Sequence, residues 1–224
     1  MLKEPKPPDG YYDEPRPEVT SRIPESAKYI LDVGCASGAL GRLIKTERPL
    51  VEVRGIEPVP DQAERARKVL DDVMVGQADD PLPNHWPRPD CIIFADVLEH
   101  LVDPWAVLER YRNILSPGGT IVASIPNVAN HVVISGLLRL RWDYAPFGIL
   151  DRTHLRFFTR ETALELFEQA GFSIQHVSRT LEGFACKKLF RMLIGRENGR
   201  RRIYPRPFGW IIDAYTCQFI IVAT

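Results

Sequence analysis

From Tyr29 onward the chain alternates short apolar runs with longer stretches whose apolar positions recur every three or four residues. The first pattern predicts strands and the second helices, and their alternation predicts a mostly parallel sheet covered on both faces. A strand starts at Tyr29, carries the acidic Asp32, and passes through the small-residue turn 34–38 into a helix. A second strand is expected at 51–57, closing on Glu57-Pro58, followed by a helix at about 61–70 with Ala63, Ala66, Val69 and Leu70 on one face. A short strand at 73–76 precedes the polar loop 77–90. Cys91–Ala95 is wholly apolar and reads as a central strand. Asp103 and Pro104 have the chemistry of an N-cap and first helical position, and Ser116-Pro117-Gly118-Gly119 closes that helix. Strands at 120–125, 172–180 and 217–223 and a helix at 160–170, opened by Thr159 and stopped by Gly171, complete the pattern.

Two segments interrupt it. Residues 1–20 are rich in proline and charge around Tyr11-Tyr12 and read as an N-terminal arm outside a single domain at 21–224. Residues 126–158 form a connection far longer than the usual 2–6 residues. They hold His131, Trp142, Tyr144, Phe147, Asp151, Arg152, His154 and Phe157 after a central strand, where ligands bind such sheets, and read as an acceptor-binding lid.

The composition narrows the class. The 224 residues carry 29 Lys+Arg against 29 Asp+Glu, which gives no global electrostatic case for nucleic acid or membrane as partner. No apolar run is long enough to span a bilayer and the N-terminus lacks the apolar core of a secretory signal, so a cytoplasmic chain is expected. Cys35, Cys91, Cys186 and Cys217 form no close pair and show no metal-ligand spacing, so reduced thiols and no metal site are expected. A basic cluster between Lys187 and Arg206 either faces solvent or attracts an anionic acceptor.

The most informative stretch is Leu31-Asp32-Val33-Gly34-Cys35-Ala36-Ser37-Gly38. Small residues there let backbone approach a bulky ligand. A carboxylate two residues before the first glycine would repel a pyrophosphate but attract ammonium or sulfonium, charges that S-adenosylmethionine (SAM) carries. The dinucleotide spacing Gly-x-Gly-x-x-Gly is also absent, since from Gly34 the chain has Ala36 and Ala39.

This stretch, Glu57, the motif Phe94-Ala95-Asp96-Val97-Leu98-Glu99-His100-Leu101 and the turn Leu115-Ser116-Pro117-Gly118-Gly119 together resemble class I SAM-dependent methyltransferases. Ser124-Ile125-Pro126-Asn127 and the run 148–158 resemble a bacterial subgroup similar to ubiquinone-type O-methyltransferases and to sugar and secondary-metabolite methyltransferases. The resemblance covers about residues 11–224. It implies a Rossmann-like three-layer α/β sandwich with a seven-stranded, mostly parallel sheet and an antiparallel last strand. It also implies SAM as cofactor and S-adenosylhomocysteine as product. Asp32, Gly34, Cys35, Ala36 and Gly38 would then hold the methionine end of SAM, and Glu57 with Pro58 the ribose. Gln77, Ala78 and Asp79 would flank adenine, and Asp96 and Val97 would line the sulfonium.

Methyl transfer to a hydroxyl needs a base, for which His154, Asp151, His131 and His100 are the candidates, with Asp151 placed to orient the His154 imidazole. The Asn/Asp-Pro-Pro-aromatic motif of amino-group DNA methylases is absent, which points to a small-molecule acceptor. O-methylation in sugar or secondary-metabolite biosynthesis is the leading expectation, ahead of N- or C-methylation. An NAD-dependent oxidoreductase or epimerase and a non-catalytic binding module are the rivals from other classes.

Overall fold

The computed structural model describes residue 13 and residues 15–181 and 213–224. Its centre is one seven-stranded sheet in the order β3-β2-β1-β4-β5-β7-β6. Strands β1 (Tyr29–Val33), β2 (Glu52–Glu57), β3 (Asp72–Val75), β4 (Cys91–Ala95) and β5 (Thr120–Pro126) run parallel. Strand β7 (Thr216–Ala223) lies antiparallel between β5 and β6 (Ile174–Leu181). The order reverses at β1, from which the chain winds one way to β3 and the other way through β4. Such a switch point opens a crevice beyond the carboxyl ends of the strands, and β1 and β4 deliver Asp32 and Asp96 to it.

The helices are α1 (Pro17–Thr20), α2 (Ala39–Glu47), α3 (Pro60–Ala66), α4 (Pro104–Ile114), α5 (His131–Leu138) and α6 (Arg160–Gln169). Two apolar clusters flank the sheet. One, around Ile30, Ile44, Val53 and Ile93, faces α1, α2 and α3, and the other, around Leu31, Phe94, Leu108 and Phe167, faces α4 and α6. Neighbouring residues Ile30 and Leu31 fall on opposite faces, as the two-residue period of a strand requires.

Local chemistry explains the helix ends. The Asp103 carboxylate accepts from the Ala106 N–H at 3.0 Å, and Pro104 occupies the first turn. Thr159 and Thr162 exchange side-chain and main-chain bonds in a capping box at α6, and Gly171, at φ 86°, ends it. Helix α3 stops before the expected residue 70. The Lys68 and Val69 N–H groups bond the carbonyls three residues back, tightening the last turn so that Leu70 packs beside Gly38 and Gly41. Phe172 turns into the core instead of opening β6.

The 126–158 segment contains a helix that its sequence pattern did not predict. Asn130 caps α5 by accepting from the Val132 N–H, while its amide donates to the Thr216 carbonyl at 3.0 Å. Asn127 donates to the Asp213 and Thr216 carbonyls, and the Val128 N–H bonds the Phe158 carbonyl. Both ends of the segment are therefore pinned at β5, and the excursion between them stands over the carboxyl edge. No helix among the described residues is long and apolar enough to cross a membrane. Tyr11-Tyr12, Cys186 and the basic cluster at 187–206 lie outside the described residues.

Candidate functional site

The turn after β1 is built for close approach. Gly34 and Gly38 have φ of 74° and 80°, and a Cβ on Gly34 would fall 2.6 Å from the Val97 side chain. The β4 motif and the β1 turn therefore pack directly on each other. Ala36 also adopts positive φ, 47°, a conformation that costs a non-glycine residue about 1–2 kcal/mol. Its N–H donates to a Glu57 carboxylate oxygen at 2.8 Å, and the Val59 N–H donates to the other at 2.9 Å. Glu57 is therefore a brace for the turn as well as a candidate ribose ligand, with lone pairs left for further donors. Burial raises its pKa, against the pull of those two N–H groups. Cys35 is buried, its sulfur filling the space above Gly55, and burial suppresses its ionisation, so it is a packing residue.

Asp32 is 1% exposed, and its Oδ2 has no hydrogen-bond partner among the described residues. Burial first, and then the Glu57 charge, raise its pKa to about 7. A buried carboxylate oxygen without a donor, at the foot of a ligand-sized turn, fits a ligand that brings a cationic N–H with it. The ammonium of SAM is such a group, and that fit is independent of any family pattern. Gln77 and Asp79 are exposed beyond β3 while Ala78 is buried. The Asp80 carboxylate caps the Gln77 N–H at 2.7 Å, and Arg110 holds the Asp79 and Asp80 carbonyls. Pro58 is exposed beside Glu57.

Asp96, at φ 56°, ends β4. Its carboxylate accepts from Ser124 Oγ at 2.9 Å, from Gln218 Nε2 at 2.8 Å and from the Arg16 guanidinium. Arg16 also reaches Ser124 Oγ at 3.1 Å and Gln218 Oε1 at 3.0 Å. Three residues earlier, the Asp13 carboxylate accepts from Ser37 Oγ at 2.7 Å and from Arg65. The arm thus lies across the β1 turn and the β4 end at once. Neither arm residue was singled out from sequence, where only the composition of the arm was readable.

The four candidate bases separate into groups. His131 Nδ1 pairs with the Ala214 carbonyl and its ring packs on Tyr215, which ties it to the start of β7. His100 and His154 lie together, with ring centroids 4.7 Å apart. Asp151 does not orient His154 in the way expected: its Oδ1 accepts from the Thr153 N–H and hydroxyl, and the His154 ring is fixed by the Ile149 carbonyl, 3.0 Å from Nδ1. Burial and the neighbouring His100 lower the His154 pKa, which keeps the imidazole neutral at pH 7. Glu99, fully buried beside them, was quoted only as part of a motif in the sequence. Nothing in its residue type announces burial, and only the fold reveals it.

An open sheet of this order, with an acidic glycine-containing turn after β1, a second carboxylate after β2 and a third after β4, is the architecture of class I SAM-dependent methyltransferases. A family profile described as a methyltransferase domain matches residues 11–177, and the chain belongs to that family. A trans-aconitate 2-methyltransferase of Methylobacterium radiotolerans is 32% identical over 114 residues, covering 50% of this chain and 44% of that protein. A ubiquinone biosynthesis O-methyltransferase of Xylella fastidiosa is 29% identical over 113 residues, covering 49% and 46%. The match thus spans less than half the length of these curated relatives. A solved structure from Thermotoga maritima, described as a SAM-dependent methyltransferase and possible histamine N-methyltransferase, superposes with a TM-score of 0.62 at 18% identity, covering 92% of this chain and 86% of that one. That likeness is one of fold.

Proposed function

We propose that the protein transfers the methyl group of SAM to a hydroxyl of a small-molecule acceptor. The observation that carries this reading is the buried, donorless Oδ2 of Asp32 at the foot of the Gly34 turn. In this reading Asp32 takes the ammonium of SAM, and the turn with Cys35, Ala36 and Gly38 carries the methionine chain. Glu57 and Pro58 meet the ribose, Gln77, Ala78 and Asp79 the adenine, and Asp96 and Val97 the sulfonium end. SAM supplies an electrophilic methyl on a positively charged sulfur. The residues of this chain have to align the acceptor with it, an effect worth up to about 7–11 kcal/mol. The lid at 126–158 shields the reaction from water.

In this reading the proton of the acceptor passes to His154. Burial and the nearby His100 favour the neutral imidazole of His154, and its Nδ1 is tied to Ile149, so Nε2 presents a lone pair. His154→Ala is expected to slow the chemical step ~10²–10⁴-fold while leaving SAM affinity near the native value. His131→Ala and Asp151→Ala are the comparisons. Their expected losses are smaller, because one is tied to the start of β7 and the other braces Thr153.

The test is product analysis: the chain is incubated with SAM and a panel of hydroxylated, amino and enolic acceptors, and S-adenosylhomocysteine and the methylated product are identified by mass. O-methylated product supports the proposal. N- or C-methylated product overturns the choice of acceptor atom, SAM binding without turnover points to a binding module, and NAD binding in its place points to an oxidoreductase.

A further inference from the structure

Glu99 is 1% exposed, and neither of its carboxylate oxygens has a partner among the described residues beyond its own main-chain N–H. Facing it is not a donor but another lone-pair group: His154 Nε2 stands 4.0 Å from Glu99 Oε1. The hydrogen bond from Nδ1 to the Ile149 carbonyl puts the proton of the neutral ring on Nδ1, so Nε2 has none to give. His100 has the same arrangement, its Nδ1 lying 3.3 Å from the Thr153 carbonyl and 3.2 Å from the Thr153 hydroxyl. That hydroxyl donates to Asp151, so its oxygen is an acceptor toward the ring. Both imidazoles are thus held by main-chain carbonyls on one nitrogen and present the other. One ligand atom from each of Glu99, His100 and His154 lies within 4.8 Å of the other two.

We infer that Glu99, His100 and His154 form a binding site for a divalent transition-metal cation, with open positions that take an oxygen of the acceptor. Three observations carry the inference. A buried carboxyl group whose oxygens meet only its own main-chain N–H, set beside two nitrogen lone pairs, is rich in ligand atoms and poor in donors, and a cation resolves it. Metal-binding histidines characteristically donate their second ring N–H to a carbonyl, carboxylate or water, and both histidines here do so. The third is pre-organisation of groups distant in sequence. The Glu99 carbonyl accepts from the Leu155 and Arg156 N–H groups at 2.8 and 2.9 Å, and the Arg156 guanidinium holds the Val102 carbonyl. The segment bearing His154 is thereby sewn to the turn bearing Glu99 and His100. Two imidazoles and one carboxylate favour Mn²⁺, Fe²⁺, Co²⁺ or Zn²⁺ over Mg²⁺, which prefers oxygen and water.

The role of the cation rests on the methyl-transfer reading, although the binding site does not. Asp96, on the sulfonium side in that reading, directly follows β4 and leads within one turn into Glu99 and His100, so the site adjoins the reacting end. A cation there would hold the acceptor hydroxyl and acidify it. The hydroxyl proton passes to solvent, the oxygen forms its bond to the methyl carbon, and the C–S bond breaks with its electron pair returning to sulfur. The products are the methyl ether, S-adenosylhomocysteine and one proton. With the cation bound, His154 acts as its ligand and the cation takes over the acidification of the hydroxyl; the base role proposed above is that of the metal-free chain.

The test uses Co²⁺ as the probe on the full chain after removal of metal with a chelator, reading visible absorption and calorimetry, with SAM titrated into the same preparations. One Co²⁺ per chain is expected. Glu99→Gln, which keeps the shape and removes the ionisable carboxyl, and His100→Ala should each weaken Co²⁺ binding by more than about 100-fold, above the 10–100-fold cost of losing a partner behind a ligand. SAM affinity should stay at the native value in both variants. Absence of saturable Co²⁺ binding by the native chain, or native-like binding by Glu99→Gln, overturns the site. Failure of SAM binding with Co²⁺ binding intact would instead overturn the methyltransferase reading and leave the cation site standing.

Discussion

Glu57 shows how a side chain proposed to meet a ligand in this crevice also serves the fold. Its two oxygens already hold the Ala36 and Val59 N–H groups, so its removal unbraces the turn as well as removing the proposed ribose partner. Glu57→Ala should weaken SAM binding by roughly 1.5–3 kcal/mol for each charge-assisted bond lost, and should also lower the melting temperature. Calorimetry and a thermal melt separate the two effects, and unchanged SAM affinity in a folded variant would remove Glu57 from the ribose site. Ala36 tests the turn from the other side. Its positive φ is strained for alanine, so Ala36→Gly should stabilise the protein by about 1 kcal/mol. A lower melting temperature would show that the strain is relieved elsewhere. The acidic residues of the site were legible in sequence because each sits where a strand ends. The positive φ of Ala36 and Asp96 was not, because neither residue type announces it.

At the scale of elements, the arm and the proposed lid at 126–158 differ in how they are tied down. Arg16 joins the arm to β4, β5 and β7 through Asp96, Ser124 and Gln218. Removing it leaves the largely buried Asp96 short of its cation, so Arg16→Ala should cost roughly 1.5–3 kcal/mol in chemical denaturation. The lid is anchored at Asn127, Asn130 and the Glu99–Leu155 bonds, while Leu137, Leu138, Leu140 and Phe147 are exposed along its outer course. Hydrogen exchange at 131–150 should slow when SAM and an acceptor are bound, and identical exchange in both states would make the segment a fixed ornament. Caps and central strands were readable here because their determinants are local: Asp103-Pro104 and Thr159 act within one turn, and Cys91–Ala95 is apolar on both faces. Helix α5 and the Arg16 contacts were not, since both depend on partners in β7 far along the chain.

For the molecule as a whole, the sheet order brings together carboxylates that the chain keeps apart. Asp32, Glu57 and Asp96 come from three strands to one edge, where burial penalises the charge of Asp32 and Glu57 and a cationic ligand would offset that penalty. Asp32 contributes a pH response at the candidate ligand site. Its pKa, raised from the model-peptide value of 3.8 to about 7, means that the folded protein without ligand retains a proton that the unfolded chain releases. The stability this contributes is complete below about pH 4 and is lost as pH rises through 7. The ligand has the opposite preference, because an ammonium or sulfonium cation needs Asp32 ionised. Titration of SAM into the chain by calorimetry between pH 6 and 8, in buffers of different ionisation enthalpy, tests this account most directly. It predicts tighter binding as pH rises through about 7, with a proton released on binding at the low end, and loss of both effects in Asp32→Asn. Absence of SAM binding by the folded chain, or binding that is independent of pH and survives unchanged in Asp32→Asn, would contradict it.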